Sequence, residues 1–212
     1  MIVKLDNISK SFKHQPIINN INITFKPNKI YGIIGRNGSG KTVLLKMICG
    51  ILKPDSGKIL FDNEDYINKF GVPKSTRALI ETPEMINDLS GFENLKLIAS
   101  IKNEIDDKQI LKTLEIVGLK NEEYKKYKNY SLGMKQKLGI AQVLMEDADL
   151  IILDEPFNGL DDKSANNMRN LIKSLKANKI IIVATHIKDD IENLIDDLYK
   201  IDGGNLIYER KN

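Results

Sequence analysis

Three uninterrupted apolar runs stand out along the chain: Ile30-Tyr31-Gly32-Ile33-Ile34, Leu150-Ile151-Ile152-Leu153 and Ile180-Ile181-Ile182-Val183. Runs of this length without alternation predict parallel strands buried on both faces. Shorter or alternating segments predict further strands at Ile2–Leu5, Ile17–Phe25, Lys58–Phe61 and Arg77–Ile80, the last stopped by Thr82-Pro83. Helical spacing runs over Thr42 to Leu52, ending near Gly50, and again over Phe92–Ile101, Asp107–Val117 and Ser131–Met145. Asp162–Lys176 is amphipathic, with Met168, Leu171, Ile172 and Leu175 on one side. The pattern predicts an α/β fold: a parallel-sheet core, an antiparallel N-terminal β-subdomain and an inserted helical subdomain. We expect one domain over residues 1–212, with 1–82 and 146–212 as the core and 83–145 as the insertion.

The first candidate chemistry lies where a predicted strand meets a predicted helix. Residues 35–42 read Gly35-Arg36-Asn37-Gly38-Ser39-Gly40-Lys41-Thr42, the phosphate-loop pattern G-x-x-x-x-G-K-[ST]. Glycines let the backbone curl so that successive N–H groups converge on a phosphate. Lys41 can neutralise the outer phosphates and Thr42 can offer a hydroxyl to Mg²⁺. The helix that follows places its N-terminus, with free N–H groups and a favourable dipole, against the anion. The expected ligand is a nucleoside triphosphate, and the fold narrows to a P-loop NTPase core.

Composition changes this picture little. The 212 residues hold 42% apolar side chains, enough for a core, and 32 basic against 29 acidic residues leave a net charge of +3. So small a charge gives no reason to expect nucleic acid. The single Cys49 excludes an internal disulfide, and two histidines, His14 and His186, make no zinc cluster. No apolar run reaches the length needed to span a bilayer, so direct membrane insertion is not expected. The start, Met1 to Asp6, turns polar too soon for a secretory signal.

The second apolar run ends in Asp154-Glu155. A carboxylate at the C-terminal end of a parallel strand faces the ligand crevice. There an Asp can hold Mg²⁺ and the next Glu can deprotonate a water. With these two motifs in order, the chain resembles the ATP-binding subunits of ABC transporters over its whole length. Tyr130-Ser131-Leu132-Gly133-Met134-Lys135-Gln136 resembles the family's signature, normally Leu-Ser-Gly-Gly-Gln, and departs from it at Tyr130, Leu132 and Met134. Asn158-Gly159-Leu160-Asp161 resembles the D-loop, Thr185-His186 the switch histidine, and Phe12 the aromatic that stacks on adenine. On the residues alone, the other readings are Phe12 as a core aromatic, with Tyr31 inside its buried strand as the competing platform, and Ser131 as a plain helix cap.

The resemblance implies a homodimer in which Ser131 and Gly133 of one copy complete the ATP site of the other, with Asp161 linking the two sites. It implies Mg²⁺ held by Thr42 and Asp154, Glu155 as general base and His186 on the γ-phosphate. It also implies an integral membrane permease as partner and a place on the cytoplasmic face of the membrane. One departure matters: the family's glutamine ahead of the helical subdomain is here Glu81, in Leu79-Ile80-Glu81-Thr82-Pro83. Glu keeps an oxygen for metal or water but loses the amide donor; an exposed loop residue is the other reading. A similar Glu occurs in the exporter branch linked to lantibiotic immunity and peptide-antibiotic resistance. The expected function is therefore an ATPase that powers an exporter. The alternative is a soluble ABC-type ATPase of DNA repair or the ribosome.

Overall fold

The computed structural model describes residues 1–65, 71, 73, 75–81 and 84–209. Its centre is a six-stranded sheet in the order β5(Thr76–Leu79), β6(Leu150–Asp154), β7(Ile180–Thr185), β3(Lys29–Ile34), β8(Asp197–Asp202), β9(Asn205–Glu209). The first five strands run parallel and β9 returns antiparallel. The three continuous apolar runs form the middle of this sheet, and every residue of β6 and β7 is buried.

Alternate side chains of the central strands feed two cores. On one face Leu150, Ile152, Ile180 and Ile182 pack with α1(Lys41–Ile48) and with a three-stranded antiparallel sheet of order β2-β1-β4. That sheet comprises β1(Val3–Phe12), β2(Gln15–Phe25) and β4(Ser56–Phe61). On the other face Ile151, Leu153, Ile181 and Val183 pack with a helical layer. It comprises α2(Gly91–Ala99), α3(Asp107–Ile116), α4(Leu132–Leu144) and α5(Asp162–Ser174). A two-sided sheet is why these strands carry no polar face.

The helices start where polar caps allow. Ser90 and Glu93 form a reciprocal capping box on α2, and Asp106, Ser131 and Asp161 cap α3, α4 and α5. Helix α1 stops at Ile48, two residues before Gly50 at φ 75, close to the expected end near Gly50.

Two elements differ from expectation. Strand β1 runs to Phe12 rather than ending at Leu5. Asn7 sits at φ 51 in a bulge that breaks the alternation, and it exchanges hydrogen bonds with the Asn22 side chain of β2. The hairpin β8–β9 was not predicted at all. Its turn is Gly203-Gly204, both at positive φ, a two-residue signal present in the sequence. The Thr82-Pro83 stop, and with it the expected boundary between residues 82 and 83, lies outside the described residues.

Candidate functional site

Strands β6, β7 and β3 are neighbours, and their C-terminal ends deliver the predicted chemistry to one place. Residues 35–40 leave β3 and curl over the start of α1. Gly38 and Gly40 hold φ 78 and 104, and a side chain at Gly40 would press on Ile18 and on the Ile17 carbonyl. Only glycine suits that position. The Lys41 side chain is 6% exposed, and its ammonium donates to the carbonyls of Gly35 (2.8 Å) and Arg36 (3.3 Å). It lies 3.9 Å from Glu155 Oε1.

Thr42 donates its hydroxyl to Asp154 Oδ2 at 2.6 Å. The other oxygen, Asp154 Oδ1, is buried and has no partner. Burial pushes the Asp154 carboxyl above its usual range, and the nearby Glu155 and Glu81 charges add to this against the Thr42 bond and Lys41. A buried, unsatisfied carboxylate oxygen beside a hydroxyl is the donor set a hard divalent cation takes, so these residues fit Mg²⁺.

Glu155 follows β6 with φ 49, a left-handed conformation that costs a non-glycine residue about 1–3 kcal/mol and clusters at functional sites. The turn is fastened by Glu155 N–H donating to the Ala184 carbonyl (2.8 Å) and by Gln136 donating to the Glu155 carbonyl (3.1 Å). Its carboxylate accepts from Thr185 Oγ1 (2.9 Å) and His186 N–H (3.0 Å), and lies 2.8 Å from His186 Nδ1. A carboxylate only accepts, so Nδ1 carries the hydrogen in this contact and Nε2 is the remaining ring nitrogen.

A cleft of about 310 Å³ runs from Asp154 and Glu155 past the phosphate loop to Phe12. Phe12 is 45% exposed at its mouth, which removes the core reading. Tyr31 is buried, its ring edge-on to Phe25 and its hydroxyl bonded to Lys26 N, so it cannot serve as the platform. A second cleft of about 430 Å³, between the loop's outer side and the Gly203-Gly204 turn, contains neither Asp154 nor Glu155.

The remaining predicted residues stand apart from this cleft. Ser131 is exposed and its hydroxyl accepts from Met134 N–H at 3.3 Å, a plain cap within this chain. Gly133 abuts the Gly159 carbonyl, where a Cβ would come within 2.8 Å. Asp161 accepts from the Ser164 N–H and hydroxyl, which hold its carboxyl below the usual range. Glu81 is exposed, at φ 63, and pairs with Lys46 at 2.7 Å. Three contributors were not singled out from sequence: Thr185 and Gln136, which set Glu155, and Lys46. Thr185 and Gln136 stood inside quoted motifs without being given a role; Lys46 carries no signal short of the fold.

Comparison with known proteins bears directly on this geometry. A family model described as ABC transporter matches residues 18–158. The bacitracin transport ATP-binding protein BcrA of Bacillus licheniformis is 40% identical over 216 residues, covering 98% of this chain and 69% of that protein. The lantibiotic transport ATP-binding protein SrtF of Streptococcus pyogenes is 34% identical over 215 residues, covering 99% and 91%. Among solved structures, a nucleotide-free ATP-binding cassette from an ABC transporter superimposes with TM-score 0.85 at 26% identity, covering 100% of this chain and 92% of that one. A dimeric cassette in a post-hydrolysis state bound to ADP and Pi gives 0.88 at 24%, covering 99% of each.

Proposed function

The chain belongs to the ABC transporter family as an ATP-binding, ATP-hydrolysing subunit, and from that membership we propose that it powers a separate membrane-embedded exporter of a drug, peptide antibiotic or lantibiotic. The observation that carries the catalytic part is the cleft lined by Lys41, the Thr42–Asp154 pair and Glu155, with His186 held on the Glu155 carboxylate.

In this reading the backbone N–H groups of residues 36–42 and Lys41 bind the phosphates, and Phe12 stacks on the base. Thr42 and Asp154 hold Mg²⁺, which when bound neutralises charge on the β- and γ-phosphates. Glu155, aimed by Thr185 and His186, takes a proton from a water attacking the γ-phosphorus. The bond from that phosphorus to the bridging oxygen breaks, leaving ADP and inorganic phosphate. Positioning and electrostatics supply most of the acceleration.

Ser131, Gly133 and Asp161 act in a second copy of the chain, in a dimer closed by a two-fold axis around two ATP molecules. Among the described residues no helix is long and apolar enough to cross a membrane. In this reading the permease is a separate chain and this one docks on its cytoplasmic face. The names of the relatives favour that over a soluble ATPase of repair or translation.

Glu155→Gln provides the test. Turnover should fall by about 10³-fold, within the usual range for losing a general base, while ATP binding persists and a dimer accumulates on size exclusion. Near-normal hydrolysis would remove Glu155 from its role. Sedimentation with membranes should require co-expression of an integral membrane partner; binding of the purified chain to bare lipid vesicles would count against docking through a permease.

A further inference from the structure

The Lys46–Glu81 pair is a charged feature that this mechanism leaves unused, and the Glu81 charge acts on Asp154. Lys46 lies four residues after Thr42 on α1, so the two side chains share one face of the helix, one turn apart. Thr42 is bonded to Asp154, and Lys46 is bonded to Glu81 at 2.7 Å. Two carboxylates therefore line the same strip of α1, one on the hydroxyl and one on the ammonium. Glu81 leaves β5 at φ 63, a conformation that positions its side chain at a backbone cost.

Resting on the ATPase reading above, we propose that Lys46 is a competitor for the Glu81 carboxylate. It holds Glu81 on the ammonium and away from the cation site of Thr42 and Asp154, and it gives Glu81 up when a divalent cation is bound there. Magnitudes favour exchange. The Glu81 side chain is 65% exposed and that of Lys46 31%, and ion pairs of this kind are worth about 0–1 kcal/mol. A divalent cation that takes one or two carboxylates together with substrate phosphates can outbid such a pair. A glutamine at position 81 would not need the counter-ion, which gives Lys46 a role tied to this chain's own departure from the family pattern.

The experiment titrates Mg²⁺ against binding of a fluorescent, non-hydrolysable ATP analogue, with no turnover involved. In Lys46→Met the half-saturating Mg²⁺ should fall about 3-fold, the size of a modest surface ion pair. In Glu81→Gln it should rise. Adding Lys46→Met to Glu81→Gln should then change it far less than in the parent, the sign of direct coupling in a double-mutant cycle. Lys46→Arg should keep the parent value. Equal shifts in both backgrounds would mean that Lys46 acts only as a distant charge, and an unchanged or raised half-saturation in Lys46→Met would likewise overturn the proposal. Analogue binding by the parent, and its loss in Lys41→Ala, reports on the ATPase reading separately. Failure there would remove that reading, whereas intact binding with uncoupled Lys46 removes only this inference.

Discussion

The phosphate-loop side and the signature side of this molecule are built on opposite terms. At the first, polar groups are left wanting: Asp154 Oδ1 and Ser39 Oγ are buried without partners, and the Lys41 ammonium rests on two carbonyls. At the second, every named group is content. The Ser131 hydroxyl caps α4, the Asp161 carboxylate caps α5, and Gly133 packs on Gly159. Buried unsatisfied groups cost stability and persist where a ligand repays them. Self-satisfied caps on an exposed surface indicate no ligand from the same chain. The difference agrees with the proposed reading, in which one chain carries the phosphate and metal groups and presents the signature face to a second copy. Leu132, 65% exposed at that face where the family has glycine, is an apolar group in want of cover.

The largest break in this comparison comes from damaging each side in turn. Lys41→Ala should remove nucleotide binding by the single chain. Ser131→Arg should leave that binding intact and lower hydrolysis by about 10²-fold, the loss expected when an electrostatic group is removed from a transition state. Equilibrium binding of labelled ATP at low protein concentration, set beside steady-state hydrolysis, separates the two. If Ser131→Arg weakened binding as Lys41→Ala does, the two sides would belong to one site in one chain, and the two-copy reading would fall.

A smaller effect sharpens the edge of the phosphate side. Phe12 lies at the cleft mouth with Lys10 5.6 Å from its ring centre. Loss of one base-stacking aromatic costs about 1–3 kcal/mol, so Phe12→Ala should weaken ATP binding by about 5- to 150-fold, and Phe12→Tyr should preserve it. Tyr31→Phe should leave affinity unchanged, because its hydroxyl serves Lys26 in the core. A Phe12→Ala variant that binds ATP normally would place the base elsewhere along the cleft.

The same contrast explains what the sequence disclosed. Groups that need a fixed backbone pattern, the loop 35–42 and the Asp154-Glu155 strand end, are written as contiguous motifs and were legible. The continuous runs of β3, β6 and β7 were legible because both faces are covered. Strand β1 beyond Asn7 was not, since its residues are half-exposed and a bulge resets the alternation. The β8–β9 hairpin hid behind side chains such as Asp197, Lys200 and Asp202 at one end of the sheet, although Gly203-Gly204 announced its turn. Contacts made across the fold left no local trace. Gln136 on the Glu155 carbonyl spans 19 residues and Lys46 on Glu81 spans 35, and no periodicity records either. The left-handed backbone at Glu155 and Glu81 was equally silent, because nothing in a glutamate forecasts a positive φ.

The smallest expected effect concerns stability, and it tests whether the wanting side really carries a cost. Burial raises the Asp154 carboxyl pKa in the folded state above its value in the unfolded chain. The folded state therefore holds this proton more tightly than the unfolded chain does. The group's contribution to stability is fully present below the unfolded value and is lost as pH rises through the folded one. At neutral pH the ionised carboxylate is a burden on the nucleotide-free protein, one that a bound cation would lift. Asp154→Asn removes the charge, and its amide oxygen can still accept from Thr42 Oγ1. It should raise the melting temperature of the nucleotide-free protein by about 2–4 °C, the shift that roughly 1 kcal/mol gives at this size. The gain should shrink as pH is lowered toward the acid range, where the parent carboxyl is itself protonated. Adding Mg²⁺ to ATP should stabilise the parent more than the variant, which keeps the phosphate loop but lacks the Asp154 carboxylate. A variant less stable than the parent at neutral pH would mean that Asp154 is a satisfied structural carboxylate. The phosphate side would then be no more in want of a ligand than the signature side.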